Sequence, residues 1–303
     1  MGVIAINVIR ELYKLGIDIG FNVLNLSEIN INDYPAVIQE SIKKGFRKDS
    51  IGIFFSYPDS YPSIRCKINI GYTGADSDGW YKTDGSPKYP SELCNEFTDY
   101  MLTPSNYSKK IMQECGVKKP IFIFPHGIKT ELFKPKLRGF SKPFKFLYTG
   151  ELSQRKGSQD LIKCFKNLFL NNSDYELILR ANTHMKHYGG DEITNLCNGC
   201  KNIKLIWKNE GQEELINYFD DAHVYIYPSK ADWFGMTPFE SLATGLPTMA
   251  TSTNGYYEFI ENYIIDIPFE KTKINFDHPY LLGNWNSVKL PDFTNLMNYI
   301  TNE

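Results

Sequence analysis

The sequence predicts an α/β protein of two doubly wound, Rossmann-like domains, each with a parallel sheet that helices cover on both faces. Its length of 303 residues suits two domains of ordinary size. Short apolar runs alternate with helical patterns along the whole chain. A stretch rich in proline, glycine and charge, residues 129–143, separates two series of such units and is typical of a linker. We therefore expect an N-terminal domain over residues 1–137 and a C-terminal domain over residues 138–303.

The N-terminal domain is predicted to start with a helix and to continue with strands. Ile4, Val8 and Leu12 recur at helical spacing within residues 4–15, and a second helix is predicted over residues 36–46. Each predicted strand is a short apolar run beside turn residues. These runs are residues 21–25, 51–56, 67–73, 99–103 and 121–125.

The C-terminal domain repeats the alternation more regularly. Its apolar runs are residues 144–150, 175–180, 202–207, 223–228 and 247–251. Helices are predicted near residues 158–170, 212–220 and 237–244. Strands that are apolar on both faces are typical of parallel sheets, and such sheets bind ligands beyond the carboxyl ends of their strands. The loops that follow these runs are therefore the places to look for chemistry.

Composition and charge exclude several classes of protein. The net charge of −2 gives no general attraction to nucleic acid, and no apolar run approaches the roughly 18 residues of a membrane span. The first residues carry charges within their apolar rhythm, unlike a secretory signal. Six cysteines are few for a disulfide scaffold of this size. We expect a cytoplasmic protein with free thiols that does not bind nucleic acid.

The most informative stretch is residues 228–258, where two acids flank a glycine-containing loop. Glu240 follows Asp232 by eight positions, with the sequence FGMTP between them. Carboxylates accept hydrogen bonds from sugar hydroxyls, whereas N–H groups at a helix start donate to oxyanions. This pattern suits a ligand that is both hydroxylated and phosphorylated.

The same stretch resembles the signature of the family 4 retaining glycosyltransferases, which have the GT-B fold. The matching positions are Pro228, Ser229, Phe234, Gly235, Glu240, Gly245 and Pro247. Asp232 stands where the family usually has Glu, and Trp233 where it usually has Gly.

The resemblance implies a hexosyltransferase that uses a nucleotide-diphosphate sugar and needs no cofactor. Such an enzyme transfers the sugar with retention of configuration at the anomeric carbon. The sequence does not identify the acceptor. Glu240 would bind the ribose hydroxyls and Asp232 the donor sugar. The backbone N–H groups of Gly235, Met236 and Thr237 would assist at the sugar and phosphate.

A second motif follows the first strand of the C-terminal domain. Residues 150–157, from Gly150 onward, read GELSQRKG and resemble the diphosphate motif of the same family. Lys156 matches that motif, whereas Glu151 occupies the family's Arg position, so Arg155 would have to neutralise the leaving group together with Lys156. Because Lys156 lies in a predicted loop, we expect Lys156→Ala to reduce turnover far more than stability.

In the N-terminal domain, which would bind the acceptor, residues 71–80 follow a predicted strand and are rich in acids. Many relatives place a catalytic-face residue here, and Asp76 is our candidate. Asp76 and Asp78 also mimic the metal-binding Asp-x-Asp of the other glycosyltransferase fold, GT-A, but the rest of the chain favours GT-B. His126, in a Pro-His-Gly match to the family, is expected to be structural.

One cluster lies outside the family pattern. His184 and His187, with Cys197 and Cys200, have a spacing that allows a four-ligand structural zinc site. The alternative is an accidental pair of motifs, and the segment between them reads as a loop.

Three further points stay open in the sequence. Relative to the family, the first strand is not found before the first helix, and the late helices are not all present, so we expect a shortened GT-B chain. Basic pairs such as Lys43-Lys44 and Lys109-Lys110 are either a solvated surface or a contact with anionic membranes. A sugar-nucleotide epimerase and a non-catalytic sugar-nucleotide-binding protein are the alternative functions.

Overall fold

The N-terminal domain is built on a parallel four-stranded sheet. The computed structural model describes residues 2–21, 34–61, 65–80, 88–139, 141–274 and 283–302. The strands lie in chain order and are β1 (Ile51–Phe55), β2 (Ile68–Tyr72), β3 (Tyr100–Thr103) and β4 (Ile121–Ile123). These agree with the predicted runs. Most of the strand predicted over residues 21–25 lies outside the described residues.

Four helices of this domain are described: α1 (Gly2–Lys14), α2 (Ala36–Lys44), α3 (Pro90–Phe97) and α4 (Asn106–Glu114). The first two were predicted and the last two were missed. Both missed helices carry start signals. Pro90 stands at the first position of α3, and the side chain of Ser105 caps α4 by accepting the N–H of Ser108 at 3.1 Å. Their apolar patterns are short, so the periodicity is weak.

The C-terminal domain is built on a parallel six-stranded sheet in the order β10-β9-β8-β5-β6-β7. Its strands are β5 (Phe144–Thr149), β6 (Tyr175–Ala181), β7 (Ile203–Trp207), β8 (Val224–Tyr227), β9 (Thr248–Thr251) and β10 (Ile265–Ile267). This is the strand order of a dinucleotide-binding sheet. The order reverses between β5 and β8, which pair directly. Open sheets of this kind bind ligands at the carboxyl ends of the strands where the order reverses.

The helices described in the C-terminal domain are α5 (Ser158–Phe169), α6 (Gly190–Cys197), α7 (Gln212–Asp221), α8 (Met236–Ala243), α9 (Asn254–Ile260) and α10 (Leu290–Asn302). The interpretation of the segment before Cys197 as a loop is wrong, because α6 forms there. The core is densely aromatic: Phe146 on β5 packs against Phe165 and Phe169 of α5, and all three are buried. This packing fixes α5, and with it the loop that precedes the helix.

A hairpin of two antiparallel strands, β11 (Phe269–Lys273) and β12 (Asn284–Val288), lies outside both sheets and was not predicted. Its strands are rich in polar residues, and no position of β11 is fully buried, so they lack the apolar run of a buried strand. Trp285, Asn286 and Val288 of β12 are buried, and Lys230 lies over the ring of Trp285 at 4.9 Å. The hairpin is thereby attached to the loop that follows β8.

The chain crosses from the first sheet to the second over residues 124–132. Phe133 is already buried in the C-terminal core. Arg138 then donates to the carbonyl of Thr244 at 2.7 Å and to that of Phe219 at 3.2 Å, near the ends of α8 and α7. The linker is thus fastened to the C-terminal domain ahead of β5, and the domain boundary at residue 137 stays a prediction.

All six cysteines are free thiols. Within the described part of the chain, no helix is both long and apolar enough to cross a bilayer.

Candidate functional site

The two sequence motifs of the C-terminal domain lie side by side. The loop over residues 150–157 leaves β5, and the loop over residues 228–235 leaves β8, its direct neighbour in the sheet. Gly157, with a φ of +70°, lies so close to the second loop that a Cβ would be 2.1 Å from the carbonyl oxygen of Pro228. The loops therefore pack backbone to backbone at the point where the strand order reverses.

Lys156 and Asp232, one residue from each motif, meet at the centre of this site. The ammonium of Lys156 contacts Oδ2 of Asp232 and donates to the hydroxyl of Tyr227 at 3.0 Å. That hydroxyl in turn donates to Asp232. Lys156 and Asp232 are only 9% and 3% exposed, so Lys156 is a buried cation rather than a solvated loop cation. Burial raises the pKa of Asp232, but Lys156 and Arg155 outweigh it and hold that pKa below the usual value.

The guanidinium of Arg155 is surrounded by acceptors. It donates to Oε2 of Glu151 at 2.8 Å and to the carbonyl of Ala231 at 3.1 Å. A third contact, at 3.5 Å, joins it to Oδ1 of Asp76 in the N-terminal domain. Glu151, the departure from the family motif, thus lies directly against the cation that would replace the family's Arg.

Asp76 joins the two domains at the site. Its Oδ1 accepts the backbone N–H of Trp233 at 3.0 Å. Burial raises the pKa of Asp76, and the Arg155 guanidinium opposes that shift. The structure therefore brings Asp76 together with Arg155, Lys156 and Asp232 at one cleft.

Asp78 points to a different partner. Its carboxylate accepts the N–H of Asn284 at 3.1 Å and pairs with Lys271 at 3.1 Å, both on the hairpin. Asp76 and Asp78 thus bind different elements, so they do not act as a joint metal motif.

Glu240 lies on α8, one helical turn beyond the glycine loop. It is 5% exposed, and its Oε1 accepts from Gln212 Nε2 at 3.4 Å. Burial raises its pKa to about 7. A carboxyl group with one weak protein partner is available to a ligand hydroxyl.

The predicted backbone donors start α8. Gly235 has a φ of +75°, and a Cβ there would lie 2.8 Å from the ring of Tyr256, so glycine is required on both counts. Met236 is the first residue of the helix, and the hydroxyl of Thr237 accepts from Tyr225 at 2.6 Å. On the facing loop, Gly150 has a φ of +132°, which also favours glycine. Both glycines that the sequence selected, Gly150 and Gly235, therefore have a positive φ that favours glycine.

Trp233 replaces a family glycine and bridges the domains. Its indole lies on Gly74, with Tyr72 and His126 at ring distances of 6.1 and 5.6 Å. Its carbonyl oxygen accepts from Ser105 at 2.9 Å. The sequence marked Trp233 only as a departure. A large aromatic residue in a glycine position was the signal that this loop packs against something.

His126 lies at the same interface. Its ring packs on Phe234 at 4.5 Å, and both of its buried nitrogens lack a hydrogen-bond partner within the described part of the chain. Burial lowers its pKa to about 4, so the imidazole is neutral. The packing agrees with a structural role, while the two nitrogens leave it able to bind a further group.

The zinc hypothesis finds no support in the geometry. His184 and His187 lie on a 3-10 turn (Thr183–Tyr188), Cys197 ends α6, and Cys200 follows it. Within the ranges described above, no group of three or more His, Cys, Asp and Glu side chains could hold a metal ion. The helix between the two motifs separates ligands that a loop was expected to bring together.

Comparisons with known proteins agree with this architecture. Residues 129–274 match the sequence profile of the family described as glycosyl transferases group 1. The chain is similar to a D-inositol 3-phosphate glycosyltransferase of Arthrobacter sp. (strain FB24), with 27% identity over 164 residues. That alignment covers 50% of this chain and 39% of the relative, so the chain spans well under half of that protein.

Solved structures show the same fold. Sucrose-phosphate synthase from Thermosynechococcus elongatus has a TM-score of 0.58 at 14% identity, covering 80% of this chain and 60% of that one. S. aureus TarM, in complex with fondaparinux, alpha-GlcNAc-glycerol and UDP, has a TM-score of 0.59 at 13% identity, covering 84% and 49%. The sheet order, the switch-point loops and these similarities together lead to one conclusion: the chain has the GT-B fold, and its residues 129–274 match the glycosyl transferases group 1 family.

Proposed function

We propose that this chain transfers a sugar from a nucleotide-diphosphate sugar to an acceptor, with retention of configuration at the anomeric carbon. One observation carries the proposal. The cations Arg155 and Lys156 of one motif and the acids Asp232 and Glu240 of the other follow β5 and β8 at the carboxyl ends of these strands. That is where an open parallel sheet binds a nucleotide. The complex of TarM with UDP supports a nucleotide ligand for this fold.

In this proposal, chemistry rests on stabilising the leaving diphosphate. Arg155 and Lys156 would neutralise the charge that develops on it, and the N–H groups at the start of α8 would donate to the same oxygens. Asp232 would accept from donor sugar hydroxyls. It is one methylene shorter than Glu, so it reaches less far into the cleft. Glu240 would accept from the ribose.

Asp76 is the group of the N-terminal domain that faces this site most directly. It stands 3.5 Å from Arg155 and 3.0 Å from the N–H of Trp233, so it faces the donor site from the N-terminal domain. We assign it to the catalytic face on that geometry.

Nucleotide-dependent stabilisation is the first test. A ligand that binds only the native state raises the unfolding temperature, so UDP, GDP and ADP sugars are compared at saturating concentration. The sugar that stabilises wild type should lose its effect with Glu240→Gln, while the exposed Glu213→Gln on α7 serves as the control. Stabilisation by none of the sugars would contradict the proposal.

A second candidate is a non-catalytic sugar-nucleotide-binding protein. The observation that favours it is the pairing of both cations with the protein's own carboxylates. Assays of the stabilising sugar with and without candidate acceptors separate the functions. Transfer supports the enzyme, binding with no turnover supports the binding protein, and acceptor-independent release of nucleotide supports an epimerase-like reaction.

The location stays a prediction. We propose a cytoplasmic protein, with contact to anionic membranes through basic pairs as an option for lipid acceptors. Lys44 and Arg47 both pair with Asp18, at 2.6 and 2.7 Å, which reduces the free charge of one such patch.

A further inference from the structure

The carboxylate of Asp76 occupies the kind of position that a ligand's phosphate would use. It accepts a loop N–H, from Trp233, and contacts a guanidinium, from Arg155. Both donors belong to the C-terminal domain, whereas Asp76 follows β2 in the N-terminal domain. The side chains of Asp76 and Arg155 are only 18% and 16% exposed, so this contact is largely shielded from water.

The charges around Arg155 are already more than balanced. Asp76, Glu151 and Asp232 bring three carboxylates to two cations, Arg155 and Lys156. A diphosphate would add about two further negative charges to a poorly hydrated cluster, and like charges at such distances repel strongly. The cations of the cluster are therefore already paired, and a diphosphate would bind there more favourably once one carboxylate withdraws.

Asp76 is the carboxylate that can leave by a movement of domains. Glu151 lies four residues from Arg155 on the same loop, and Asp232 is held by Lys156 and Tyr227 within one domain. Separation of the two domains would withdraw Asp76 and leave both Glu151 and Asp232 in place. It would also free the N–H of Trp233.

We propose that Asp76 is an autoinhibitory latch: it takes the place of the ligand's diphosphate on Arg155 and on the Trp233 N–H, and nucleotide binding displaces it. The latch rests on the proposed function, because it regulates the same nucleotide site. It gives Asp76 a part in holding the cleft closed when no nucleotide is bound. A bound nucleotide and the contact between Asp76 and Arg155 then cannot be present at the same time.

The test compares Asp76→Asn with Asp78→Asn by calorimetric titration of UDP, GDP and ADP. Asparagine at position 76 can still accept the Trp233 N–H but no longer competes as an anion for Arg155. We expect the dissociation constant of the preferred nucleotide to fall about fivefold or more, the scale of a coupling between two sites. Asp78→Asn removes the same charge two residues away, at a carboxylate that binds the hairpin, and should leave affinity unchanged.

The outcomes are distinct. If wild type binds a nucleotide and Asp76→Asn binds it equally or more weakly, the latch is overturned and the proposed function stands. An equal gain in Asp78→Asn would show a general charge effect and would also overturn the latch. If neither wild type nor Asp76→Asn binds any of the three nucleotides, both proposals fail. Asp76→Ser carries the same expectation and replaces the asparagine variant if that variant does not fold.

Discussion

The indole of Trp233 lies on Gly74 so closely that a Cβ at Gly74 would be 1.9 Å from Cε3 of the ring. The two residues belong to different domains, so a glycine in one domain provides the space for a tryptophan in the other. Ser105 and Asp76 hold the backbone of Trp233 from both sides. The loop that carries the candidate donor site is thus held by two residues of the N-terminal domain.

Gly74→Ala tests how much the contact between Gly74 and Trp233 contributes to stability. The added methyl group overlaps the ring, so we expect a loss of about 1–3 kcal/mol in stability, measured by thermal or denaturant unfolding. The same change in a Trp233→Gly background should cost much less, because the ring and the Cβ of residue 233, which would lie 2.8 Å away, are both gone. Gly127→Ala is the control, since a Cβ there meets nothing within 4 Å. Equal losses in both backgrounds would show that the contact is unimportant.

Lys156→Ala should reduce stability as well as activity. The sequence predicted a loop cation whose loss would reduce turnover far more than stability; Lys156 is instead buried, so we expect a loss of stability as well. Removing it leaves Asp232 buried without its cation, which typically costs about 3–5 kcal/mol. Denaturant unfolding of this variant beside Lys163→Ala, an exposed lysine of α5, measures the difference. An unchanged midpoint would mean that Asp232 finds another partner.

Glu240 should make stability fall as the pH rises. Its pKa is raised from 4.5 to about 7 in the folded state, so between these values the folded protein binds the proton that the unfolded chain has released. Its contribution, about 3 kcal/mol, is complete below pH 4.5 and lost by about pH 7. Glu240→Gln should remove this slope, whereas Glu213→Gln should keep it. Denaturant unfolding at pH 5.5 and 8 is the measurement.

His126 should act in the opposite direction. Burial lowers its pKa from 6.5 to about 4, so the unfolded chain takes up a proton first as the pH falls. Its contribution to stability is complete above pH 6.5 and decreases toward pH 4. His126→Phe should abolish that acid loss and should stabilise the neutral protein by about 1–2 kcal/mol, because two buried nitrogens without partners are removed. The exposed His184→Asn is the control, and a destabilised His126→Phe would point to an undetected partner.

The fold was predictable where strands are buried on both sides. The predicted runs of the C-terminal sheet agree with β5 to β9 within about two residues at each end. Elements with weaker signals were missed. The hairpin is rich in polar residues, and α6 begins at the second of the paired glycines 189 and 190, which read as a loop.

The sequence selected residues that lie together in the structure, but it did not predict how they pair. Acids and cations that follow adjacent strands of a parallel sheet must meet at one edge, and the strand order places them there. The contact between Asp76 and Arg155 crosses 79 residues and two domains, and no spacing in the sequence encodes it. Tyr227, which binds both Lys156 and Asp232, was hidden inside an apolar strand. The roles assigned to the site residues stay predictions.

Within the described residues, the chain passes between the two sheets once, over residues 124–132, and α10 packs back on α5 of the C-terminal domain. Because the described chain connects the two domains once, rotation of one domain against the other is otherwise resisted by contacts at the cleft. One of these is the hydrogen bond from the N–H of Asn106 to the carboxylate of Glu258, at 2.8 Å. Each of these contacts can break and reform without disturbing a strand. If the proposed function holds, a ligand would be exchanged by breaking these hydrogen bonds and ion pairs and the packing of Trp233, with both sheets intact throughout.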